Sequence, residues 1–268
     1  MKTGPITTQL KFLASLDEPL VYVPSKGGGD TTDHVGNFKM REVVVHNARD
    51  LPLTDLDVEG FQLVEQKSEV SDFYDDQQIA STYHDEVTAL LLKATGAQRV
   101  EIFDDTRRTS SIDLQETHQI REPANIVHND YTARSGLKRL QDLIPDEADE
   151  LSQRRFAIIN VWRSIAGTIL NHPLVLCDAT TVAPDELVSV ERRAEERVGE
   201  LQLALHGDRQ RWYFYPNMQM DEALIFKTFD SETDGRTRFT IHSSFELPDA
   251  PLDAPPRESI ETRCLVFF

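Results

Sequence analysis

The sequence predicts a mainly β fold, an antiparallel barrel or jelly roll with helices packed outside it. Two observations carry this prediction. Two segments in the first half of the chain show apolar residues at helical spacing. After Arg155 the pattern changes to short runs of β-branched and aromatic residues, separated by turn signals. Many short strands of this kind are typical of an antiparallel sheet that closes or folds over on itself.

The helices are expected before most of the strands. From about Asp75 to Ala94 apolar residues recur at helical spacing, and Gly96 is placed to end the helix. A strand is expected at 99–103 and a second helix at about 133–143. The later strands are expected at Phe156–Trp162, Leu174–Cys177, Leu201–Leu205, Trp212–Tyr215, Ala223–Phe229, Phe239–His242 and Ile260–Phe267.

The length and composition suit a single domain. A chain of 268 residues, of which 39% are hydrophobic, can bury one sizeable core. We therefore expect one domain over residues 1–268. Within it, residues 1–60 are expected to be an irregular N-terminal extension with a short strand-like run at 41–45, and residues 61–268 to hold the helices and the jelly-roll core.

The net charge and the two cysteines bear on the binding partners and the cellular compartment of the protein. A net charge of −18 argues against a nucleic-acid partner, because the phosphate backbone favours Lys and Arg. Cys177 and Cys264 lie in apolar runs and are expected to be buried free thiols, as in a reducing compartment. No apolar run follows the N-terminus or reaches the length of a bilayer span, about 18 residues. These features predict a cytoplasmic protein with no membrane segment.

A histidine and an aspartate two positions apart, His128 and Asp130, form the most informative pattern. In a strand, residues i and i+2 point to the same face, so both side chains can reach one ion. His242 lies in a later strand-like run and would complete a set of two imidazoles and one carboxylate. Such a set suits iron(II) and leaves positions open for dioxygen and a co-substrate, whereas structural zinc sites usually use cysteines. The alternative is a surface histidine, with Asp130 as the N-cap of the second helix.

Arginines near the C-terminus are candidates to hold a 2-oxo acid. Arg257 follows His242 by 15 positions (257 − 242), and Ser259 comes two positions later. A guanidinium matches a carboxylate bidentately and stays charged when buried. Arg263 shares the same strand face by alternation and competes for this task. Lys227 is a weaker candidate, since a lysine in a strand usually faces solvent.

Several further segments carry a family likeness. They are GFQLV at 60–64, VHNDYT at 127–132, FAIINVWR at 156–163, PLVLCD at 173–178, RWYFYP at 211–216, DEAL at 221–224, KTFD at 227–230, HSSF at 242–245 and PPRESIETR at 255–263. Together they cover most of residues 60–268. With these segments the chain resembles the AsaB-like hydroxylase/desaturase family, which is related to the bacterial cephamycin 7-hydroxylation component and to a gibberellin desaturase.

The resemblance implies a double-stranded β-helix core of jelly-roll or cupin-like type, with Fe(II) and 2-oxoglutarate as cofactor and co-substrate. It implies His128, Asp130 and His242 as iron ligands and Arg257 as the 2-oxoglutarate anchor. Ser259 would assist, and Arg263 is the alternative anchor. The family positions with unassigned roles are Trp162, Arg163, Trp212, Tyr213 and Tyr215, of which Arg163 and Tyr213 are our candidates for a catalytic role and the aromatics otherwise pack the core.

By this resemblance the protein is an oxidoreductase, a dioxygenase of secondary-metabolite biosynthesis. It would use dioxygen to hydroxylate or desaturate a small, rather apolar natural-product intermediate. The acidic balance of the chain disfavours strongly anionic substrates. Two alternatives remain: an iron-dependent oxidase or isomerase that does not use 2-oxoglutarate, and an accessory subunit of a biosynthetic oxygenase. The oligomeric state is left open, with a homo-oligomer among the options.

Overall fold

Two sheets face each other in the computed structural model, which describes residues 4–16, 20–30, 32–194 and 197–268. The strands are β1 (Ile6–Leu13), β2 (Val21–Val23), β3 (Asp33–Val35), β4 (Phe38–Asn47), β5 (Phe61–Glu65), β6 (Arg99–Thr109), β7 (His128–Asn129), β8 (Phe156–Ser164), β9 (Leu174–Cys177), β10 (Leu187–Ala194), β11 (Arg197–Ala204), β12 (Trp212–Phe214), β13 (Glu222–Asp230), β14 (His242–Ser244) and β15 (Glu258–Phe267). The helices are α1 (Asp76–Gln78), α2 (His84–Thr95), α3 (Ile112–His118), α4 (Ala133–Leu143) and α5 (Ala148–Leu151), with a π-helical turn at Ile79–Tyr83 between the first two.

The larger sheet has ten strands and the smaller has five. Their orders are β1-β4-β12-β9-β14-β7-β11-β10-β2-β3 and β5-β13-β8-β15-β6. Most neighbouring strands run antiparallel, and many neighbours are far apart in sequence. These curled sheets form a jelly roll, so the predicted mainly β fold with flanking helices is confirmed.

The smaller sheet is covered on both faces. All nine residues of β8, its central strand, are buried. On the outer face Ile159 and Val161 pack against the helical segment that contains Val87 and Leu91. On the inner face Trp162 joins an apolar cluster with residues of the larger sheet. Strand alternation therefore gives β8 one face toward the helices and one toward the interior of the jelly roll.

The predicted elements match the structure best where the apolar period is strong. The second helix has the predicted bounds, and α2 ends at Gly96, whose φ of 70° places it in the left-handed C-cap conformation. The strand predicted at 239–242 lies later in the structure, because β14 begins only at His242 and runs to Ser244. Of the β10–β11 hairpin, only the last part of β11 was predicted, at 201–205. The many charged residues of the hairpin obscure the run of apolar residues that predicts a strand. Both cysteines are buried free thiols, as predicted.

The expectation of an irregular N-terminal extension is wrong for the described part of residues 1–60. β1 and β4 pair antiparallel along their length and form one edge of the larger sheet, and β2 with β3 forms the other edge. These strands are half exposed, and their pairing is set by tertiary contacts that no local pattern reveals. Residues 1–3, 17–19 and 31 fall in the same range and lie outside the described residues.

Gly136 in α4 provides a test of how closely this helix packs on β13. A Cβ atom at this buried position would lie 2.5 Å from Cδ2 of Phe229. Ala normally stabilises a helix interior relative to Gly by about 1 kcal/mol. Here we expect Gly136→Ala to lower the free energy of unfolding by about 1–3 kcal/mol, because Phe229 or the helix has to shift. Urea denaturation measures the change.

The control for this substitution is Gln141→Ala, at an exposed position of the same helix. It should leave the free energy of unfolding within about 0.5 kcal/mol of the parent value. Equal or higher stability of Gly136→Ala would contradict the close packing of α4 on Phe229.

Candidate metal centre

Three side chains converge where β7 and β14 pair. His128, the first residue of β7, lies directly opposite His242, the first residue of β14. Asp130 follows β7 by one residue. One ligand atom from each of the three lies within 4.8 Å of the others. In the part of the chain that the structure describes, this is the one group of three His, Cys, Asp or Glu side chains that could hold a metal ion.

Both imidazoles are fixed in the same tautomer by backbone carbonyls. His128 Nδ1 lies 2.7 Å from the carbonyl oxygen of Ile126, and His242 Nδ1 lies 3.0 Å from that of Thr240. Because a carbonyl can only accept, each Nδ1 carries the hydrogen and each Nε2 presents a lone pair. The ring centroids are 4.4 Å apart. The Nε2 atoms are thus the ring nitrogens that remain to face a metal ion.

The electrostatics favour the ligating protonation states. Burial, and then the neighbouring His128, lower the pKa of His242 to about 3. Burial alone would raise the pKa of Asp130, but Arg263 and the two histidines hold it well below its ordinary value. At neutral pH the site thus offers a neutral imidazole at His242 and a carboxylate at Asp130, the forms that bind metals.

Arg263 holds the Asp130 carboxylate in place. Its Nε donates to Asp130 Oδ2 at 2.9 Å, and Asn160 Nδ2 donates to the same oxygen at 2.8 Å. The other nitrogens of Arg263 donate to Asp104 and Glu261. Each of its three nitrogens is therefore engaged, and Arg263 orients a candidate metal ligand.

The alternative interpretation of Asp130 as a helix cap does not hold. The N-cap of α4 is Thr132, whose hydroxyl accepts from the Ser135 amide while the Ser135 hydroxyl accepts from the Thr132 amide. This reciprocal pair satisfies the first turn of the helix. The second oxygen of Asp130, Oδ1, is left facing His128 Nε2 at 3.4 Å.

Asn129, between the two ligands, was missed by the sequence reasoning. Its fully buried amide donates to Gln202 Oε1 and to the backbone carbonyls of Tyr131 and Thr228. Its oxygen accepts from the Thr240 amide at 3.2 Å. This one side chain ties the turn at Asp130 to three other segments, and a buried amide with so many partners is hard to anticipate from sequence.

Ser259 lies on the inner face of β15, and Arg257 directly precedes this strand on the same side. Arg257 is 3% exposed, and its Nη1 donates to the His172 carbonyl at 3.0 Å and to Ser244 Oγ at 3.3 Å. Its Nε and the Ser259 hydroxyl are buried without a hydrogen-bond partner among the described residues. A narrow cavity lined by Arg257 is also lined by His128 and His242.

Arg163 is not brought to this centre. It follows Trp162 on β8 and so points to the opposite, outer face, where it stacks 5.3 Å from the centre of the Tyr83 ring. Its Nη2 donates to Gln66 Oε1 at 2.7 Å. The expectation of a catalytic role for Arg163 is corrected here, because strand alternation places its guanidinium under the helical layer.

Tyr213 packs in an apolar cluster, and Lys227 forms buried ion pairs. Tyr213 lies in the interior apolar cluster, with its ring 6.2 Å from that of Phe61. Lys227 is 1% exposed, and its ammonium group donates to Asp57 and Asp230. The expectation that this lysine faces solvent is wrong, and its ion pairs leave it no role in binding a 2-oxo acid.

The arrangement defines a class of protein. Two imidazoles and one carboxylate can occupy one face of an octahedral metal and leave the remaining positions open. Neither cysteine belongs to the group, so a closed structural zinc site is excluded for these residues. This ligand set inside a jelly roll is the mark of the non-haem iron(II) oxygenases.

Comparisons with known proteins agree with this class. A family model described as an oxidoreductase/YMDC permease-like domain matches residues 10–267. The Fe(II)/2-oxoglutarate-dependent dioxygenase nvfI of Aspergillus novofumigatus is 34% identical over 263 residues, which cover 95% of this chain and 92% of that protein. The hydroxylase/desaturase CTB9 of Cercospora beticola is 32% identical over 256 residues, covering 86% and 78%. A solved structure titled iron and alpha-ketoglutarate-dependent endoperoxidase NvfI superposes with a TM-score of 0.86 at 30% identity, over 99% of each chain.

The chain therefore belongs to this oxidoreductase family, with the Fe(II)/2-oxoglutarate-dependent dioxygenases and hydroxylase/desaturases of secondary metabolism. The expected enzyme class, the pair of iron and 2-oxoglutarate, and the family resemblance are confirmed. No helix in the described ranges is long and apolar enough to cross a bilayer.

Replacing Arg263 tests its hold on Asp130. In Arg263→Lys the charge remains but the fork that joins Asp130, Asp104 and Glu261 is lost. We expect the dissociation constant for Mn(II), measured by electron paramagnetic resonance, to rise about 10–100-fold, as for other groups that orient metal ligands. Circular dichroism checks that the variant is folded.

Arg99→Lys is the matched control, because Arg99 also bridges two carboxylates but is exposed and remote from the three ligands. Its Mn(II) affinity should equal that of the parent protein. An unchanged affinity in folded Arg263→Lys would show that Asp130 is positioned without the guanidinium.

Proposed function

We propose that this protein holds Fe(II) on His128, Asp130 and His242, anchors 2-oxoglutarate with Arg257 and Ser259, and hydroxylates or desaturates a small natural-product intermediate. The observation that carries this assignment is Arg257, whose buried Nε has no partner among the described residues and which lines a narrow cavity together with the two histidines. The Ser259 hydroxyl, two positions later on the same strand face, is also buried without a partner. Buried polar groups without a protein partner are rare, and such a group beside a candidate metal site suits a bound ligand.

The surroundings of Arg257 fit an anion. Its guanidinium lies 5.5 Å from the centre of the Trp162 ring, and no carboxylate among the described residues is within ion-pair distance of it. Burial, followed by the nearby Arg108, lowers the pKa of Arg257 to about 9. Glu261, which lines the same cavity, offsets part of this shift without forming an ion pair with Arg257. A buried cation without a directly paired anion is costly, and the far carboxylate of 2-oxoglutarate would supply one bidentately.

The narrow cavity supports a 2-oxoglutarate that extends from Arg257 to the two histidines. His128 and His242 line it together with Arg257, Trp162 and Ser244. Its volume is about 20 Å³, room for roughly one water-sized group, so the lining side chains have to move apart when the acid enters. The two oxygens at the 2-oxo end would then reach the metal while the other end meets Arg257.

An apolar wall lies next to the ligands. The Phe226 ring centre is 4.7 Å from that of His242, and Trp162, Leu174 and Leu224 belong to the same interior cluster. These buried side chains keep water away from the two histidines.

The iron, the co-substrate and the protein side chains would each contribute a different part of the reaction. Bound iron and 2-oxoglutarate would supply the oxidising chemistry, in which dioxygen converts 2-oxoglutarate to succinate and carbon dioxide and a substrate C–H bond is oxidised. The chain contributes three ligands held in fixed tautomers and charges, an arginine that aligns the co-substrate, and a dry interior that positions one C–H bond.

An anaerobic titration tests the ligand set. Addition of 2-oxoglutarate to the Fe(II)-loaded protein should produce a weak visible charge-transfer band, since the 2-oxo acid chelates the metal. His128→Ala should lose the band, because one ligand is removed. His118→Ala, which changes an exposed histidine of α3, should keep it. Absence of the band in the parent protein, or its survival in His128→Ala, would exclude the proposed centre.

Arg257→Ala tests the anchor through succinate formation by the purified chain. Loss of charge-assisted hydrogen bonds worth about 2–3 kcal/mol should raise the KM for 2-oxoglutarate about 30-fold or more. Arg257→Lys should recover part of this loss, because the charge returns without the fork. Arg154→Ala, at an exposed arginine, is the control. A KM for Arg257→Ala equal to that of the control would assign the anchor elsewhere.

We also propose a cytoplasmic location, supported by the two buried free thiols. A homo-oligomer stays a prediction, which light scattering on the purified protein measures directly.

A further inference from the structure

A second, larger pocket lies beside the metal centre, against His128 and Asp130. Its volume is about 310 Å³, enough for a small organic molecule. It shares His128, Arg108 and Arg263 with the narrow cavity that reaches Arg257. The two spaces therefore meet at the metal ligands, and a molecule in the larger pocket would lie next to the iron.

The lining of this pocket is rich in arginine, although the chain as a whole carries a net charge of −18. The arginines that line it are Arg108, Arg121, Arg139, Arg192 and Arg263, and the carboxylates that line it are Asp104, Asp130 and Glu200. Cations thus outnumber anions by two (5 − 3) in a pocket that borders the candidate iron site.

Internal ion pairs account for only part of this charge. Arg263 is joined to Asp130 and Asp104, as described above. Arg108, in contrast, makes a hydrogen bond to the backbone carbonyl of Glu122 at 2.8 Å, and no carboxylate among the described residues lies within ion-pair distance of it. Its positive charge is left without a counter-ion.

Like Arg108, Arg121 and Arg139 form no ion pair within the described residues. Burial, followed by Arg108 and Arg263, lowers the pKa of Arg121, and Asp104, which is paired with Arg263, offsets only part of this shift. Arg139 stacks 4.8 Å from the centre of the Phe103 ring, and its Nε is buried without a hydrogen-bond partner in the described residues. Asp104 is the carboxylate that acts on both Arg121 and Arg139, but it already forms an ion pair with Arg263. The three half-buried guanidinium groups therefore carry more positive charge than this one carboxylate offsets, and they repel each other.

We infer that the substrate carries a carboxylate, which Arg108 and Arg121 bind in this pocket so that the adjoining carbon skeleton lies against His128 and Asp130. This inference rests on the proposed function and narrows its substrate to organic acids. Two guanidinium groups can take both oxygens of a planar carboxylate. The expectation that an acidic chain disfavours anionic substrates considers only the average charge, whereas the local field in the pocket is positive.

Binding of matched acid and amide pairs tests the inference directly. The probes are benzoate with benzamide, 1-naphthoate with 1-naphthamide, and dehydroabietate with its amide. Isothermal titration calorimetry measures each on the Zn(II)-loaded protein with 2-oxoglutarate already bound, so that the Arg257 site is filled. We expect at least one acid to bind about tenfold or more tightly than its own amide, since charged hydrogen bonds to the oxygens are then added.

The variants assign that preference to the pocket. Arg121→Gln, and independently Arg108→Gln, should weaken binding of the preferred acid about tenfold and leave its amide unchanged. Arg154→Gln removes the same charge from an exposed position and should change neither. Circular dichroism establishes that each variant is folded. If no acid is preferred over its amide, or if both pocket variants retain the preference, the inference is overturned.

The charge-transfer band separates this inference from the proposed function. Arg121→Gln should keep the Fe(II)/2-oxoglutarate band and the parent affinity for 2-oxoglutarate. If that affinity falls together with the affinity for the acid, the arginines serve the co-substrate and the inference is overturned. If the parent protein shows no band while its acid preference persists, the proposed iron chemistry fails and the acid-binding pocket stands.

Discussion

The ion pair between Arg263 and Asp130 joins the two sheets at the candidate iron site. Asp130 follows a strand of the larger sheet, and Arg263 lies on the inner face of β15 in the smaller sheet. Both side chains are nearly removed from water, and Arg263 offsets the charge of Asp130 while it also pairs with Asp104 and Glu261. Removing one partner of such a pair costs about 3–5 kcal/mol, which makes the closed jelly roll and the formed ligand set parts of the same structure.

Around this pair, strand alternation assigns roles to neighbouring residues. On β8, Asn160 and Trp162 point inward, to the Asp130 carboxylate and to the Arg257 guanidinium. Ile159 and Val161, one position away, pack on the helical layer. A shift of pairing by one residue would exchange these faces and bury the apolar set on the wrong side. The apolar contact with the helices therefore also fixes the register of the polar residues at the centre.

The sign of the charge differs between the chain as a whole and the surroundings of the candidate iron site. The chain is strongly acidic, yet arginines surround the candidate iron site, where Arg263 orients a ligand and Arg257 and Arg108 have no carboxylate partner among the described residues. Guanidinium groups suit this setting because they stay charged at low dielectric and present planar donors. A site of this kind attracts acids of small size, and the acidic exterior bears on solubility more than on substrate choice.

The sequence by itself determined the fold class, the two main helices and the candidate ligands, because periodicity and the His-x-Asp spacing are local properties of the chain. It also placed Arg257, Ser259 and Arg263 on one face, since alternation along β15 requires it. It did not separate the tasks of Arg257 and Arg263. That choice depends on Asp104 and Asp130, which come from distant parts of the chain.

Only the tertiary structure decided the rest. β1 and β4 became strands through pairing with each other, and Arg163 was turned away from the centre by the side of β8 on which it falls. Lys227 was drawn inside by Asp57 and Asp230. In each case the outcome depends on which remote residue supplies a partner, and the free energy of burying a polar group is set by that partner and not by the local sequence.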